Sequence, residues 1–508
     1  VLAGGPALAE DPAPRPRTLE INEYRLEGLQ QLSQLEVEAT LEPFLGPGRL
    51  YDDVEKARAA LERLYSDRGY QAVTVAIPPQ KVRAGVVTLK VTEGRVGRLR
   101  VRGARWFWLS EIRREAPSVA EGTVLNVNDL VSDLAVLNQI PDRRVTPALR
   151  AGVVPGTVDV DLNVVDELPL HGSLEWNNRA SAGTSAERLN GALRFDNLWQ
   201  RGHSLSFNFQ TAPRRVSDAR IFSASYLARF LDAPWLTASI NGVIQNSDVS
   251  TLGDVAVKGR GRTIGTRIAF TLPGPVELFH MITAGLDVKR YGKDQADDPY
   301  GLPISYAPAS LQYLASWSSG SAQSQLGATA TFNLRALSSG IEAFDAKRYG
   351  AGGAFLHLRL EGSRTQELVW GLQAYGRVQG FVASGPLLPS EQFTAGGAET
   401  VRGYFEGQVA GDKAAAGTLE LRSPSAAPWF GAWMGEWRLH LFADVARVAL
   451  IDPLPEQFSA FLLWSAGGGT RLQLGPLHGA LDVAIPMRAD GTIRRRETRY
   501  LFRLSAEF

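Results

Sequence analysis

From about residue 168 to the end of the chain, apolar and polar positions alternate with a period of two. Leu205, Phe207 and Phe209 alternate with Ser204, Ser206, Asn208 and Gln210, and Leu356, Leu358 and Leu360 alternate with His357, Arg359 and Glu361. Leu439, Leu441, Ala443 and Val445 are interleaved with Arg438, His440, Phe442 and Asp444, and Leu477, Leu481, Val483 and Ile485 with His478, Ala480, Asp482 and Ala484. Such alternation predicts strands with one apolar and one polar face. The runs are about 9–12 residues long, beyond the usual strand of a soluble sheet and enough to cross a bilayer at a tilt. Aromatic residues gather at the strand ends, at Trp176, Trp199, Phe230, Trp235, Trp317, Trp370, Trp429 and Trp437, where an interfacial girdle would lie. About sixteen strands fit residues 168–508, an even number suited to a single-chain outer-membrane barrel. A soluble sandwich is the other architecture that this alternation allows.

The first third of the chain has a different rhythm. Residues 19–95 predict a strand at Ile21–Leu26, helices over Leu35–Phe44 and Asp52–Tyr65, then strands at Val73–Ile77 and Val86–Val91. Val54, Ala57, Ala60, Leu61 and Leu64 mark one helical face. Residues 96–167 repeat the order more faintly, with strands at Arg98–Val101, Val145–Arg150 and Val158–Val164 and helices near Leu109–Arg114 and Val127–Leu137. Two small α+β modules therefore precede the barrel.

Composition narrows the chemistry. Lys and Arg number 54 against 53 Asp and Glu, which removes the concentrated positive field that nucleic-acid binding needs. The absence of cysteine excludes disulfides, thiolate metal sites and thiol nucleophiles. No apolar run is long enough for a helical membrane span. The six histidines lack the spacing of a zinc-protease helix, Gly467-Gly468-Gly469-Thr470 lacks the lysine and spacing of a phosphate-binding loop, and no nucleophile elbow occurs. Neither catalytic residues, a metal nor a cofactor is expected. The glycine triplet reads as a place where the wall is relieved of crowding or bent. Asp52-Asp53 and Asp297-Asp298 read as turn or loop residues. Residues 1–9 read as the remnant of a secretory signal with Ala7 and Ala9 at the cleavage pattern, followed by a short segment, 10–18.

One segment names a chemistry. Val401-Arg402-Gly403-Tyr404 follows Gly396-Gly397 in a long polar loop, near 386–416, after roughly the eleventh strand. With the two modules and the barrel, it resembles the signature loop of the two-partner secretion transporters (TpsB), exporters of haemolysins and adhesins within the POTRA-plus-barrel superfamily. Pro141-Asp142-Arg143-Arg144-Val145 resembles the family's second POTRA domain. Gly411-Asp412, Thr418-Leu419-Glu420-Leu421 and Phe442-Ala443-Asp444 also fit the family pattern, whereas Ala446 stands where the family has glycine.

The resemblance implies a membrane all-β barrel preceded by two POTRA-like domains, an outer-membrane location with those domains in the periplasm, and export of a large unfolded partner. Arg402 is expected to tie the loop to Asp444 beside Phe442, because a guanidinium fork suits a carboxylate. Gly403 would allow the turn and Tyr404 would pack on the wall. Tyr500, Phe502, Leu504 and Phe508 resemble the terminal signal read by the barrel assembly machinery. Further expected partners are the exoprotein on the periplasmic side and outer-membrane lipid. An assembly factor that inserts other barrels, or a passive solute channel, is the alternative. Only about ten residues separate Ala9 from the first module, so no N-terminal plug is expected and the loop is the main obstruction.

Overall fold

The computed structural model describes residues 18–230, 232–252, 255–292, 302–491 and 493–508. Ala7, Ala9 and Asp297-Asp298 lie outside them, as does the segment in which a plug was considered. The chain divides into two compact units, residues 1–168 and 169–508.

The first unit holds two three-stranded sheets. In one, Val86–Thr92 is the centre strand, with Glu23–Glu27 parallel on one side and Thr74–Ala76 antiparallel on the other. In the other, Thr157–Asp166 is the centre, with Arg95–Arg102 parallel and Arg143–Ala151 antiparallel. The repeated order read in the sequence is thus a repeated topology. Helices Gln34–Leu41 and Tyr51–Asp67 cover the first sheet, and Leu109–Arg114 and Val127–Leu137 belong to the second module. Each module has its own core, around Leu61, Tyr65 and Leu89 in the first and Ile112, Leu137 and Leu162 in the second, all fully buried.

Two local details refine the sequence reading. The first helix stops at Leu41 and continues as a 3-10 turn over Glu42–Phe44, where Pro43 has no N–H to extend the α-helical ladder. Asp52 and Asp53, which the sequence allowed both as the start of the helix and as turn residues, occupy the first helical turn, and Asp53 accepts the Leu50 N–H at 3.0 Å. Carboxylates belong at a helix start because the first N–H groups have no partner within the helix.

The second unit is a closed antiparallel barrel of sixteen strands. They are β1 (Leu170–Asn177), β2 (Arg188–Leu198), β3 (His203–Thr211), β4 (Ala219–Arg229), β5 (Leu236–Leu252), β6 (Val255–Thr271), β7 (Leu278–Tyr291) and β8 (Ile304–Tyr306 with Pro308–Ser319). The second half comprises β9 (Ala322–Asn333), β10 (Leu356–Glu367), β11 (Gln373–Ala383), β12 (Lys413–Arg422), β13 (Glu436–Ala449), β14 (Ala460–Leu474), β15 (Leu477–Pro486) and β16 (Arg499–Glu507). The two pieces of β8 count as one because both pair with β7. β16 closes on β1 from Arg503↔Asn177 to Glu507↔Ser173. Several strands exceed the predicted length; β5 and β6 have 17 residues each.

The alternation is sorted as a barrel in lipid requires. Along β13, Leu439, Leu441, Ala443 and Val445 are exposed on the outer face, while His440, Phe442, Asp444 and Ala446 are buried inside. Among the described residues no helix is long and apolar enough to cross a membrane. Two connections at one end are the tight turns Gly320-Ser321 and Gly475-Pro476, and the exposed indoles Trp199, Trp235, Trp370 and Trp429 lie in connections at that same end. Several loops at the other end are longer. The longest described one, between β11 and β12, folds inward.

Candidate functional site

The chain leaves β11 at Ala383 and returns at Lys413. Inside the barrel, Phe393–Ala395 pairs with Val409–Gly411 as a two-stranded ribbon. At its tip Gly396, Gly397 and Gly403 adopt φ of +104°, +101° and +92°, a backbone region that glycine enters at little cost. The tip is tied to itself. The Gly396 N–H donates to Thr400 Oγ1 at 2.9 Å, and the Ala398 N–H donates to Glu406 Oε1 at 2.9 Å. The ribbon's base is held by Asp412, fully buried, which accepts N–H groups from Leu387 at 3.0 Å and Ile451 at 2.8 Å and the Gln392 amide at 3.0 Å.

Arg402 is 5% exposed, and its guanidinium is filled with partners. Nε donates to Asp444 Oδ2 at 2.8 Å and Nη2 to Asp444 Oδ1 at 2.9 Å, the two-pronged geometry that a planar fork allows. Its backbone N–H also donates to Asp444 Oδ2, at 3.1 Å. Nη1 donates to Glu420 Oε2 at 3.0 Å on the neighbouring strand β12. The guanidinium carbon lies 3.5 Å from the centre of the Phe442 ring, a cation–π stack. Burial works against the charged guanidinium, but the hydrogen bonds and charges of Asp444 and Glu420 outweigh it and raise the pKa above its ordinary value.

The glycine triplet on β14 makes this arrangement fit. A Cβ on Gly467 would sit 2.5 Å from the Phe442 ring, and one on Gly469 would sit 2.8 Å from the His440 ring. Both inward glycines thus leave room for aromatic side chains of β13, the relief of crowding that the sequence suggested. Ala446, in the family's glycine position, is fully buried in the apolar cluster that contains Val401 and Tyr404, so a methyl group is accommodated there.

The other motif residues also meet the wall. A Cβ on Gly403 would lie 3.2 Å from Ala484 and 3.3 Å from Pro486 on β15. Tyr404 is 1% exposed; its hydroxyl donates to the Arg488 carbonyl at 2.9 Å and accepts the Arg488 N–H at 3.3 Å. The loop also carries a core of its own. Leu387, Leu388, Phe393 and Val401 pack with Tyr306, Phe381 and Val448 of the wall and with Phe344, from the helix Ile341–Lys347.

The structure therefore brings Val401, Arg402, Gly403, Tyr404, Phe442 and Asp444 into one buried site. Tyr500, Leu504 and Phe508 are exposed, and Phe502 half-buried, along β16 at the closing seam, away from that site. Sequence reasoning gave no role to Glu420, which also receives Arg422 at 2.7 Å and Arg471 at 2.9 Å. Its inward direction follows from the outward Leu419 and Leu421 beside it, a signal that was present in the pattern.

Residues 197–508 match the Omp85 superfamily domain. The chain belongs to the Omp85 superfamily. Residues 19–94 match the POTRA domain of ShlB type. The chain is 23% identical over 465 residues to the outer membrane transporter CdiB of Dickeya dadantii (strain 3937), covering 85% of this chain and 75% of that protein. To CdiB of Escherichia coli it is 27% identical over 202 residues, 40% of this chain and 33% of the relative.

Among solved structures, CdiB from Escherichia coli superposes with a TM-score of 0.67 at 18% identity, covering 99% of this chain and 93% of that one. CdiB from Acinetobacter baumannii gives 0.61 at 15%, covering 97% and 90%. BamA from Haemophilus ducreyi lacking POTRA domains 1–3 gives 0.57 at 16%, covering 96% and 100%. These neighbours share the fold. The Omp85 protein described here is an outer-membrane β-barrel protein with a POTRA domain on the periplasmic side, similar along most of its length to the CdiB transporters.

Proposed function

We propose that this transporter secretes one large partner exoprotein from the periplasm to the cell surface through its barrel. The observation that carries the reading is the Arg402 site: a signature loop folded into the barrel and fastened to its wall, in a chain that also has a ShlB-type POTRA domain. A rigid pore for small solutes needs neither part. In this reading residues 96–167 are a second POTRA domain, supported by the sheet topology they share with residues 19–95. The edge strands of these modules capture an extended segment of the unfolded partner by strand pairing. Arg402 anchors the loop, and folding of the partner outside supplies the driving force.

The test is a search beside this gene for one that encodes a long secreted protein, followed by co-expression of the two. The partner reaches the surface with the intact transporter and stays periplasmic when Arg402 is truncated. A partner that stays periplasmic with the intact chain, while small solutes cross freely, overturns the reading in favour of a passive channel.

A further inference from the structure

The inward loop touches charged groups of the wall at a second place, several strands away from Asp444. Glu391, on the limb that descends from β11, is 8% exposed. Its Oε1 accepts the Lys289 ammonium of β7 at 2.7 Å and the Tyr306 hydroxyl of β8 at 2.6 Å. Tyr306 is fully buried, and its hydroxyl lies 2.8 Å from Ser390 Oγ, on the same limb. Oε2 lies 3.8 Å from His357 Nε2 of β10. Glu391 is thus enclosed by groups from three strands and from its own limb.

This arrangement is not a generic lumen contact. Lumen charges in this barrel also pair across neighbouring strands, as Arg267 does with Asp287 at 2.7 Å. Such pairs bind wall to wall. The Glu391–Lys289 pair joins residues 102 positions apart and crosses from loop to wall. A buried charged pair is costly to disrupt from one side, because the remaining charge is left without a partner. Burial alone would push the Glu391 carboxyl up; the nearby Lys289 ammonium and the bonds it receives outweigh this and hold its pKa at about 2.

We propose that Glu391 is a second tether of the inward loop, holding its descending limb to β7 and β8, so that the loop leaves the lumen only when this tether and the Arg402 site both release. The proposal rests on the reading that the loop obstructs the route used for export. Glu391 is a positioning residue: it acts on transport through the loop. Arg402 holds the tip to β12 and β13 while Glu391 holds the limb, and neither restrains the other's segment directly.

Single-channel recording of the full-length protein in planar bilayers tests this, with heat-modifiable gel migration as the check on assembly. Glu391→Ala is expected to raise the frequency of large openings about ten- to a hundredfold, the scale of a lost charge-assisted hydrogen bond. Adding Lys289→Met to Glu391→Ala should raise it no further, because both changes remove one contact. Adding Arg402→Ala should multiply the effect, because that tether is separate. If Glu391→Ala fails to assemble, Glu391→Gln replaces it. Glu391→Gln keeps an acceptor for Tyr306 while removing the charge that holds Lys289, and should open at an intermediate frequency. Wild-type opening in the Glu391 variants overturns the proposal, as does multiplication of the Lys289 and Glu391 effects. If the wild-type protein secretes no partner while its Glu391 variants show these raised openings, the export reading fails and the tether stands.

Discussion

The two units of this chain use the same residue types in opposite senses. In the periplasmic unit Leu61 and Leu89 are fully buried in one small core and Leu162 in another. In the barrel Leu419, Leu439 and Leu441 are 70%, 58% and 67% exposed on the outer face, while Arg402, Glu420 and Asp444 are buried inside. The physical driving force is one and the same, removal of apolar surface from water; only the apolar medium differs, side chains in one case and lipid in the other. Around the loop the barrel departs from its own rule. Phe393, Tyr404 and Phe344 form a protein-like core within the lumen, next to the buried Arg402 cluster. A wall built for polar contents thus holds a packed object in place.

The sharpest way to break this comparison is to remove one charge from the barrel interior. Arg402→Ala leaves Asp444 and Glu420 facing each other without the guanidinium, and should weaken loop attachment by about 3–5 kcal/mol. Secretion should fall steeply while heat-modifiable migration of the barrel stays as in the wild type. Arg402→Lys should also fail, since an ammonium cannot occupy both Asp444 oxygens and Glu420 in one plane. Arg402→Ala and Asp444→Ala should be strongly non-additive in secretion, whereas additive losses would show that Asp444 is not the main support. Asp444→Ala alone should be the milder change, because Glu420 still holds Nη1.

How much of this was readable beforehand follows from distance along the chain and from direction. The strands were legible because a period of two is local, and so was the inward direction of Asp444, set by its neighbours Ala443 and Val445. The length of β5 and β6 was not, since strands that run beyond the bilayer lose the apolar face that marks them. Glu420 points inward by the same alternation that placed Asp444, yet nothing local says that it faces Arg402. Glu391 and Lys289 gave no signal at all: each is an ordinary charged residue until the barrel closes and brings β7 against the loop. Asp53 fitted both a helix start and a turn, because the two call for the same residue types.

A smaller effect sharpens the inside-out comparison itself. Leu61→Ala in the periplasmic unit should destabilise it by about 2–5 kcal/mol, through lost transfer energy and the cavity left behind. Leu441→Ala on the barrel's outer face leaves no cavity, since lipid closes over it, and should cost much less. Leu441→Arg at the same position should cost about 2–4 kcal/mol if it lies near the bilayer centre. Equilibrium unfolding of the purified chain, followed by separate probes in the two units, resolves these losses. Equal sensitivity of Leu61 and Leu441 to alanine would mean that the outer face packs against protein and not lipid.

The smallest expected effect is that of pH, and it separates surface charges from enclosed ones. On the helix Tyr51–Asp67, Lys56 pairs with Asp52 at 2.7 Å in the open, where such a pair contributes little and is screened by salt. Glu391 is shielded, and its depressed pKa fixes the sign of its contribution. That contribution is fully present above the unfolded carboxyl value of about 4.3 and is lost as pH falls toward about 2. Between pH 8 and pH 5 the carboxylate itself should change nothing. The groups that face it are Lys289, Tyr306, Tyr291, Ser390 and His357. Opening frequency between pH 8 and pH 5 should therefore vary no more in the wild type than in Glu391→Gln. A slope that is present in the wild type and vanishes in Glu391→Gln would show that Glu391 is not held as a carboxylate, and that its pairing with Lys289 is weaker than the 2.7 Å contact implies.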